Sequence, residues 1–488
     1  MVPPIDDLYR LAPELVFCGF GMLVMLLEPF VSAARKKWLS VPALAGAVLG
    51  LAATALPAAH PGAAYYGLLR IDTFSIFLHL IVGAVAVLVV LSSADYLERE
   101  KLPPGEFYAL VLFATAGMGI MASAQELMTG FIGLEISSIA SYVLAGYRRD
   151  SPRSNESAMK YFLLGSFATA FFLYGIAMAY GATGTTNLES LRNAVAQGHA
   201  GGLLTLGLGL MLVGLAFKVA TAPFQVWTPD VYEGAPAPVT ALLASGPKAA
   251  AFALLMRILF VGFTASSGAW FWVVWISAAL TMFAGNLAAL VQTNVKRMLA
   301  YSSIAHAGYI LVAIAAVGTM PDDAQSVAGI AAVLFYLVTY VLMKFGAFTM
   351  VSQLGGPGER RLDINGYAGL SQEQPWAAAC LSLYLLSLLG LPVTAGFLGK
   401  FYVFKAAVNS NLLWLVILMA VNSVVAAYYY LRVIVVMYMR EPQQEWTPQP
   451  VPRGVALVLL LTAAGTLYLG LFPGKVMQLA IQSALSLR

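Results

Sequence analysis

The 488-residue chain is 60% apolar and 10% charged, with 27 Lys and Arg against 23 Asp and Glu and a mean hydropathy of +0.81. Soluble chains carry about 25% charged residues, and apolar runs recur here from end to end, which excludes a soluble enzyme, a disordered chain, a fibrous repeat and a secreted disulfide scaffold. Cys18 and Cys380 stand alone in separate apolar runs, so neither a disulfide framework nor a metal or iron–sulfur cluster is expected.

A bilayer crossing needs about 20 apolar residues. In chain order such runs fall near 11–30, 39–57, 71–91, 107–124, 126–146, 158–181, 202–232, 237–263, 269–291, 298–318, 325–353, 376–408, 411–438 and 454–472. This predicts an all-α polytopic membrane protein of fourteen transmembrane helices. The N-terminus lacks a basic region and a small-residue cleavage site, so the first run is expected to remain as a span. An even number of spans places both termini on one side. The loops after spans 1, 3, 5, 7, 9, 11 and 13 hold 14 Lys and Arg; the termini and the other loops hold 5. Cations concentrate on the cytoplasmic side, so both termini are expected outside.

Eight cations fall inside the predicted spans: Lys160, Lys218, Lys248, Arg257, Lys344, Lys400, Lys405 and Arg432. A cation at mid-bilayer costs about 2.5–3.5 kcal/mol even on the lenient insertion scale, so it persists mainly where it faces protein or water. Arg432 and Lys405 lie toward segment ends, where a long side chain can snorkel. Arg257 reads as interfacial, and Lys160 reads equally as a snorkelling residue or a buried one. Lys218, Lys248 and Lys400 sit deeper.

Spans 7 and 12 are too long and are punctuated. Lys218 is followed by Thr221 and Pro223, and Pro392, Gly396 and Gly399 precede Lys400. Pro removes a backbone donor and Gly loosens a helix, so each span is expected to be broken, with its unwound backbone covered by protein or water. Each break falls in the fourth span of a five-span block, spans 4–8 and 9–13. Five is odd, so the second block enters the membrane from the opposite side, the arithmetic of an inverted repeat. The expected layout is an N-terminal three-helix segment (1–106), a first five-helix repeat (107–263), an inverted second repeat (264–438) and a C-terminal helix (439–488).

Few acids can answer these lysines. Glu135 lies midway along span 5; Glu126 lies at its mouth, and Glu14 and Glu28 near the ends of span 1. A Glu135–Lys218 pair would stabilise both charges and couple their protonation. Burial disfavours a charged ammonium, and lysine, unlike arginine, can release its proton. Lysines spaced through the interior therefore suit a proton relay with water between them. His306 reads either as a relay group titrating near neutrality or as a satisfied core residue, and His79 as a core residue.

Three segments carry a resemblance: KVATAPFQVWTPDVYEGAPAPVTALLASGPKAAAF, NVKRMLAYSSIAHAGYILVA and LSLLGLPVTAGFLGKFYVFKAAV. They resemble the subunit N family of NADH-quinone oxidoreductase, antiporter-like subunits of the membrane arm of respiratory complex I, from about span 4 to the loop after span 13. The resemblance implies a proton-translocating subunit driven by NADH-to-quinone electron transfer elsewhere in the complex. It assigns relay roles to Glu135, Lys218, Lys248, Lys400 and His306. Lys160 stays a further candidate, and Lys344 departs from an uncharged family position as a relay station or a structural charge. Lys400 argues against the related subunit M, which typically has Glu there. No redox cofactor is expected in this chain; NADH, flavin, iron–sulfur clusters and quinone are expected in partner subunits. The implied partners are other membrane-arm subunits, neighbouring antiporter-like subunits included, and the lipid of a bacterial inner membrane, with no nucleic acid. The competing readings are an Mrp-type cation/proton antiporter subunit and the membrane subunit of an energy-converting hydrogenase.

Overall fold

The computed structural model describes residues 4–198, 201–319, 323–442 and 450–487. Helices dominate it: α1 (Ala12–Leu27), α2 (Ser40–Ala53), α3 (Thr73–Arg99), α4 (Pro104–Ser123), α5 (Leu127–Ala145), α6 (Pro152–Thr183), α7a (Gly202–Val219), α7b (Trp227–Gly234), α8 (Ala237–Arg257), α9 (Ser267–Leu290), α10 (Val295–Gly318), α11 (Asp323–Gly355), α12a (Pro375–Leu389), α12b (Ala395–Asn409), α13 (Leu413–Met439), α14 (Arg453–Leu471) and α15 (Gly474–Ser486). Among the described residues thirteen helices are long and apolar enough to cross a membrane. The one remaining predicted span, the twelfth, is divided into α12a and α12b, each shorter than a crossing. The helices start where local chemistry supports them. Asp72, Glu126, Ser151 and Asn294 accept hydrogen bonds from the first-turn amides of α3, α5, α6 and α10.

Both predicted breaks are present. In span 7 Ala220 adopts a left-handed conformation (φ 60°), and the freed backbone groups find partners inside the protein. Trp227 Nε1 donates to the Phe217 carbonyl at 3.0 Å, and Thr281 of α9 accepts from the Ala222 amide at 2.8 Å. In span 12 Gly390 ends α12a at φ 95°, and Ser387 Oγ accepts from the Gly396 amide at 3.1 Å. A Cβ on Gly396 would lie 1.9 Å from the Ser387 carbonyl oxygen, so only glycine lets the two halves approach this closely. Small residues likewise bring α4 against α5 and α9 against α10: Gly133 abuts the Gly117 carbonyl, and Gly285 abuts the backbone of Tyr301 and Ala305.

Helices α8, α10 and α11 are the most enclosed, while α1, α2, α13 and α14 leave most of their surface open. The ends sort into two faces. On one, Lys37 pairs with Asp95 and Glu98, Arg149 with Glu106, and Arg440 with Asn365, so the basic loops meet there. On the other, Arg10 bonds the His60 and Ala63 carbonyls beside a hairpin of β1 (Gly62–Ala64) and β2 (Leu69–Ile71). There Thr73 also bonds Gln482 and Ser486 of α15. The N-terminal and C-terminal helices therefore share a face. Helix α15 and the hairpin were absent from the predicted elements.

Candidate functional site

Helix α10 presents Leu299, Ser302, Ser303, His306 and Tyr309 at three- and four-residue spacing, and α11 presents Tyr336, Tyr340 and Lys344 every fourth residue. Each set therefore lies along one face of its helix. Where they meet, the side chains of Lys248, Ser302, Ser303, His306, Tyr336, Tyr340 and Lys344 are all buried. Lys248 Nζ donates to the Ser303 carbonyl (2.9 Å) and to Ser303 Oγ (3.0 Å), which also bonds Tyr340. Lys344 Nζ donates to the Leu299 carbonyl (2.8 Å) and to Ser302 Oγ (2.7 Å), which also bonds Tyr430 of α13. His306 joins Tyr336 through Nδ1 at 2.7 Å and Tyr430 through Nε2 at 3.3 Å. The neighbouring Tyr429 donates to Asn286, whose amide reaches Tyr309.

Lys400 closes the far side. Its Nζ lies 5.0 Å from the Tyr309 ring centre and donates to the Leu389 carbonyl at 2.8 Å. That carbonyl belongs to the last residue of α12a, where a helix end concentrates negative partial charge. The partners of Lys248, Lys344 and Lys400 are thus hydroxyls, carbonyls and ring faces rather than carboxylates. Such an environment holds an amine in either protonation state, because hydroxyls both donate and accept.

Lys218 occupies the other break. Its Nζ donates to Ser138 Oγ (2.7 Å) and Tyr142 OH (2.9 Å) of α5. The expected ion pair with Glu135 is not formed. Glu135 precedes Ser138 by three residues, about one helical turn, and the two hydroxyls take the ammonium first. Glu135 Oε1 is buried without a hydrogen-bond partner. A cavity of about 20 Å³, lined by Lys218, Ser138, Tyr161 and Pro247 among others, connects this site to the residue preceding Lys248. One water fits such a space.

The remaining in-span cations are placed differently. Lys160 pairs with Glu156 and Asp230, each at 2.7 Å, at the basic-loop face, outside the buried axis. Arg257, read as interfacial, is fully buried against Asp72 at 2.8 Å and the Ala122 carbonyl at 2.5 Å. A carboxylate partner removes the need for an aqueous boundary. Arg432 reaches the Leu290 carbonyl at the end of α9 and the Gln292 carbonyl just past it, and Lys405 is exposed.

Sequence reasoning missed several groups. The serines and tyrosines around the lysines were legible as i, i+4 stripes on α10 and α11. Lys296, counted among loop cations, is fully buried on Glu359 at 2.7 Å. Glu359 also accepts from Tyr96 (2.6 Å) and from the Ala237 amide (2.8 Å).

A family model described as "NADH:quinone oxidoreductase/Mrp antiporter, TM" matches residues 124–426. The chain is 48% identical to NADH-quinone oxidoreductase subunit N 1 of Solibacter usitatus, over 99% of this chain and 98% of that one. A chain of respiratory complex I from Thermus thermophilus superposes with a TM-score of 0.80 at 36% identity, covering 96% of this chain and 98% of that one. A chain of the Mrp complex from Dietzia sp. shares the fold, with a TM-score of 0.82 at 21% identity over 99% and 97% of the two chains.

Proposed function

The chain belongs to the NADH:quinone oxidoreductase/Mrp antiporter membrane family, within its subunit N group, and from that premise we propose that it is a proton-translocating membrane subunit of respiratory complex I. The observation that carries this reading is the interior axis that runs from the half-buried Lys218 through the buried Lys248, Lys344, His306 and Tyr309 to Lys400. Hydroxyls, carbonyls and a water-sized cavity link its members across the interior between the two helix breaks.

In this reading the lysines act in turn. Charge on one disfavours charge on the next, so arrival of a proton at Lys248 drives one onward from its neighbours. Ser303 carries Lys248 and the adjacent Ser302 carries Lys344, Tyr430 joins Ser302 to His306, and His306 stands between them and the Lys400 side. Glu135, a turn from the Lys218 acceptors, acts on Lys218 through the field, or through water, rather than by direct contact. The two broken helices then serve as equivalent stations of an inverted repeat. Electron transfer from NADH to quinone, with its flavin and iron–sulfur centres, takes place in partner subunits. The site of action is a bacterial inner membrane, with both termini on the periplasmic side.

The 48% identity to a quinone-oxidoreductase subunit along the whole chain, against 21% to the superposed Mrp chain, favours this reading over an Mrp-type exchanger. The test is purification from native membranes. The chain should travel with flavin- and iron–sulfur-containing subunits, and Lys248→Ala should abolish NADH-driven proton uptake in proteoliposomes of that complex. Co-purification with antiporter subunits alone would overturn it.

A further inference from the structure

Outside the axis, α1 and α3 enclose a second titratable pair. Glu14 Oε1 and His79 Nε2 lie 2.6 Å apart, both side chains buried. His79 Nδ1 lies 2.6 Å from the Ser75 carbonyl, which can only accept, so Nδ1 carries a hydrogen. One proton therefore lies between Nε2 and Oε1: on the ring it leaves an imidazolium and a carboxylate, on the oxygen an imidazole and an acid. Both forms are neutral overall. Glu14 Oε2 is buried with no hydrogen-bond partner, so the pair has one open atom at which a further proton can arrive or leave.

The surroundings make this a built site. Opposite the pair α4 presents Gly119, where a Cβ would lie 2.4 Å from Glu14 Oε1 and 3.0 Å from His79 Nε2. The other charged or titratable groups facing it are Cys18 on α1, Tyr65 of the hairpin beside Asp7 and Arg10, and the Arg257–Asp72 ion pair between α8 and the start of α3. Helix α2 carries no titratable residue. Glu14 lies in the first turn of α1 and His79 in the second turn of α3, just inside the face that holds both terminal helices. Met121, two residues along α4 from Gly119, lines the Lys218 cavity. One helix, about 10 Å thick, thus separates the pair from the relay.

We propose that Glu14 and His79 form a proton-exchange site that gains and loses a proton at Glu14 Oε2 during turnover, on the face carrying the termini. A proton arriving at Oε2 gives the pair a charge of plus one, and its departure restores neutrality. This rests on the relay reading given above, which supplies the protons.

The experiment uses the complete complex in proteoliposomes with three arms: native, Lys248→Ala, and the double variant Glu14→Gln/His79→Gln. The double variant replaces one neutral hydrogen-bonded pair with another of similar size. It should assemble on native gels but show a loss of protons moved per NADH and an altered pH profile of pumping. Intact pumping in Lys248→Ala would instead mark failure of the relay reading itself. If Lys248→Ala stops pumping while the double variant keeps the native ratio and pH profile, the pair is structural and this proposal falls. A second measurement needs no variant. A hydrophobic carbodiimide, which attacks protonated carboxyls in apolar surroundings, should label Glu14 in the native complex, more at low pH than at high. No Glu14 adduct by mass spectrometry at any pH would also overturn the proposal.

Discussion

Lys400 hangs from the carbonyl of Leu389 and over the Tyr309 ring, and Lys248 from Ser303; neither touches a carboxylate. Arginine would keep the charge but hold its proton too firmly to pass it on. Lys248→Arg and Lys400→Arg should therefore assemble and lose most coupled proton uptake, as measured in proteoliposomes of the whole complex. Full pumping would remove these lysines from the path. Glu359 behaves oppositely. Burial alone would raise its pKa, but Lys296, Tyr96 and the Ala237 amide together hold it below the usual carboxylate range. A depressed folded pKa gives stability that is present above the unfolded value, about 4.3, and is lost as pH falls through the folded value. Thermal melts of the purified complex should thus weaken on acidification below about pH 4. Glu359→Gln should flatten that limb and, by leaving Lys296 buried without a counter-charge, cost about 3–5 kcal/mol at neutral pH. The lysines were legible because a cation in an apolar run stands out. Lys296 and Glu359 were not, because both lie at loop edges where charge is ordinary, and only the fold carries the segment after α11 back over the starts of α10 and α8. Glu135 was legible as a buried acid, but which atom Lys218 would choose depended on the rotation of α5, which hydropathy does not report.

Proline and glycine announced both helix interruptions, and the structure places them in spans 7 and 12. At the second, Gly396 touches the Ser387 carbonyl so closely that a methyl group has nowhere to go. Gly396→Ala should push α12b away from α12a, cost about 1–3 kcal/mol as overpacking does, and lower both the yield of assembled complex on native gels and its melting temperature. Unchanged yield and melting would mean that the two halves can separate freely. The elements that escaped prediction are the short ones. Helix α15 carries Lys475, Gln478, Gln482 and serines among its leucines, so its composition falls below that of a span. Its partners on α3 and α11 are far away in sequence. The β1–β2 hairpin has only three residues per strand, too few for an alternating pattern to register.

The two faces of the molecule, one gathering the basic loops and the other the terminal helices, give the topology prediction its test. Single cysteines placed beside Arg10 and in the Lys475 turn should react with an impermeant maleimide in intact spheroplasts. Reaction at either place only after lysis would reverse the orientation. The knot between Thr73 and Ser486 has a further consequence, for biogenesis. The hydroxyl that ties the start of α3 to the last helix joins residues 413 positions apart. At about 5–20 residues per second of synthesis, roughly 20–80 s pass between the emergence of one partner and the other. Throughout that interval the third helix sits in the membrane with its terminal-face end unsealed. A nascent chain thus stays open at that end until α15 is made, and a protease or insertion factor that recognises the open end distinguishes copies lacking α15 from those that carry it before any partner subunit docks.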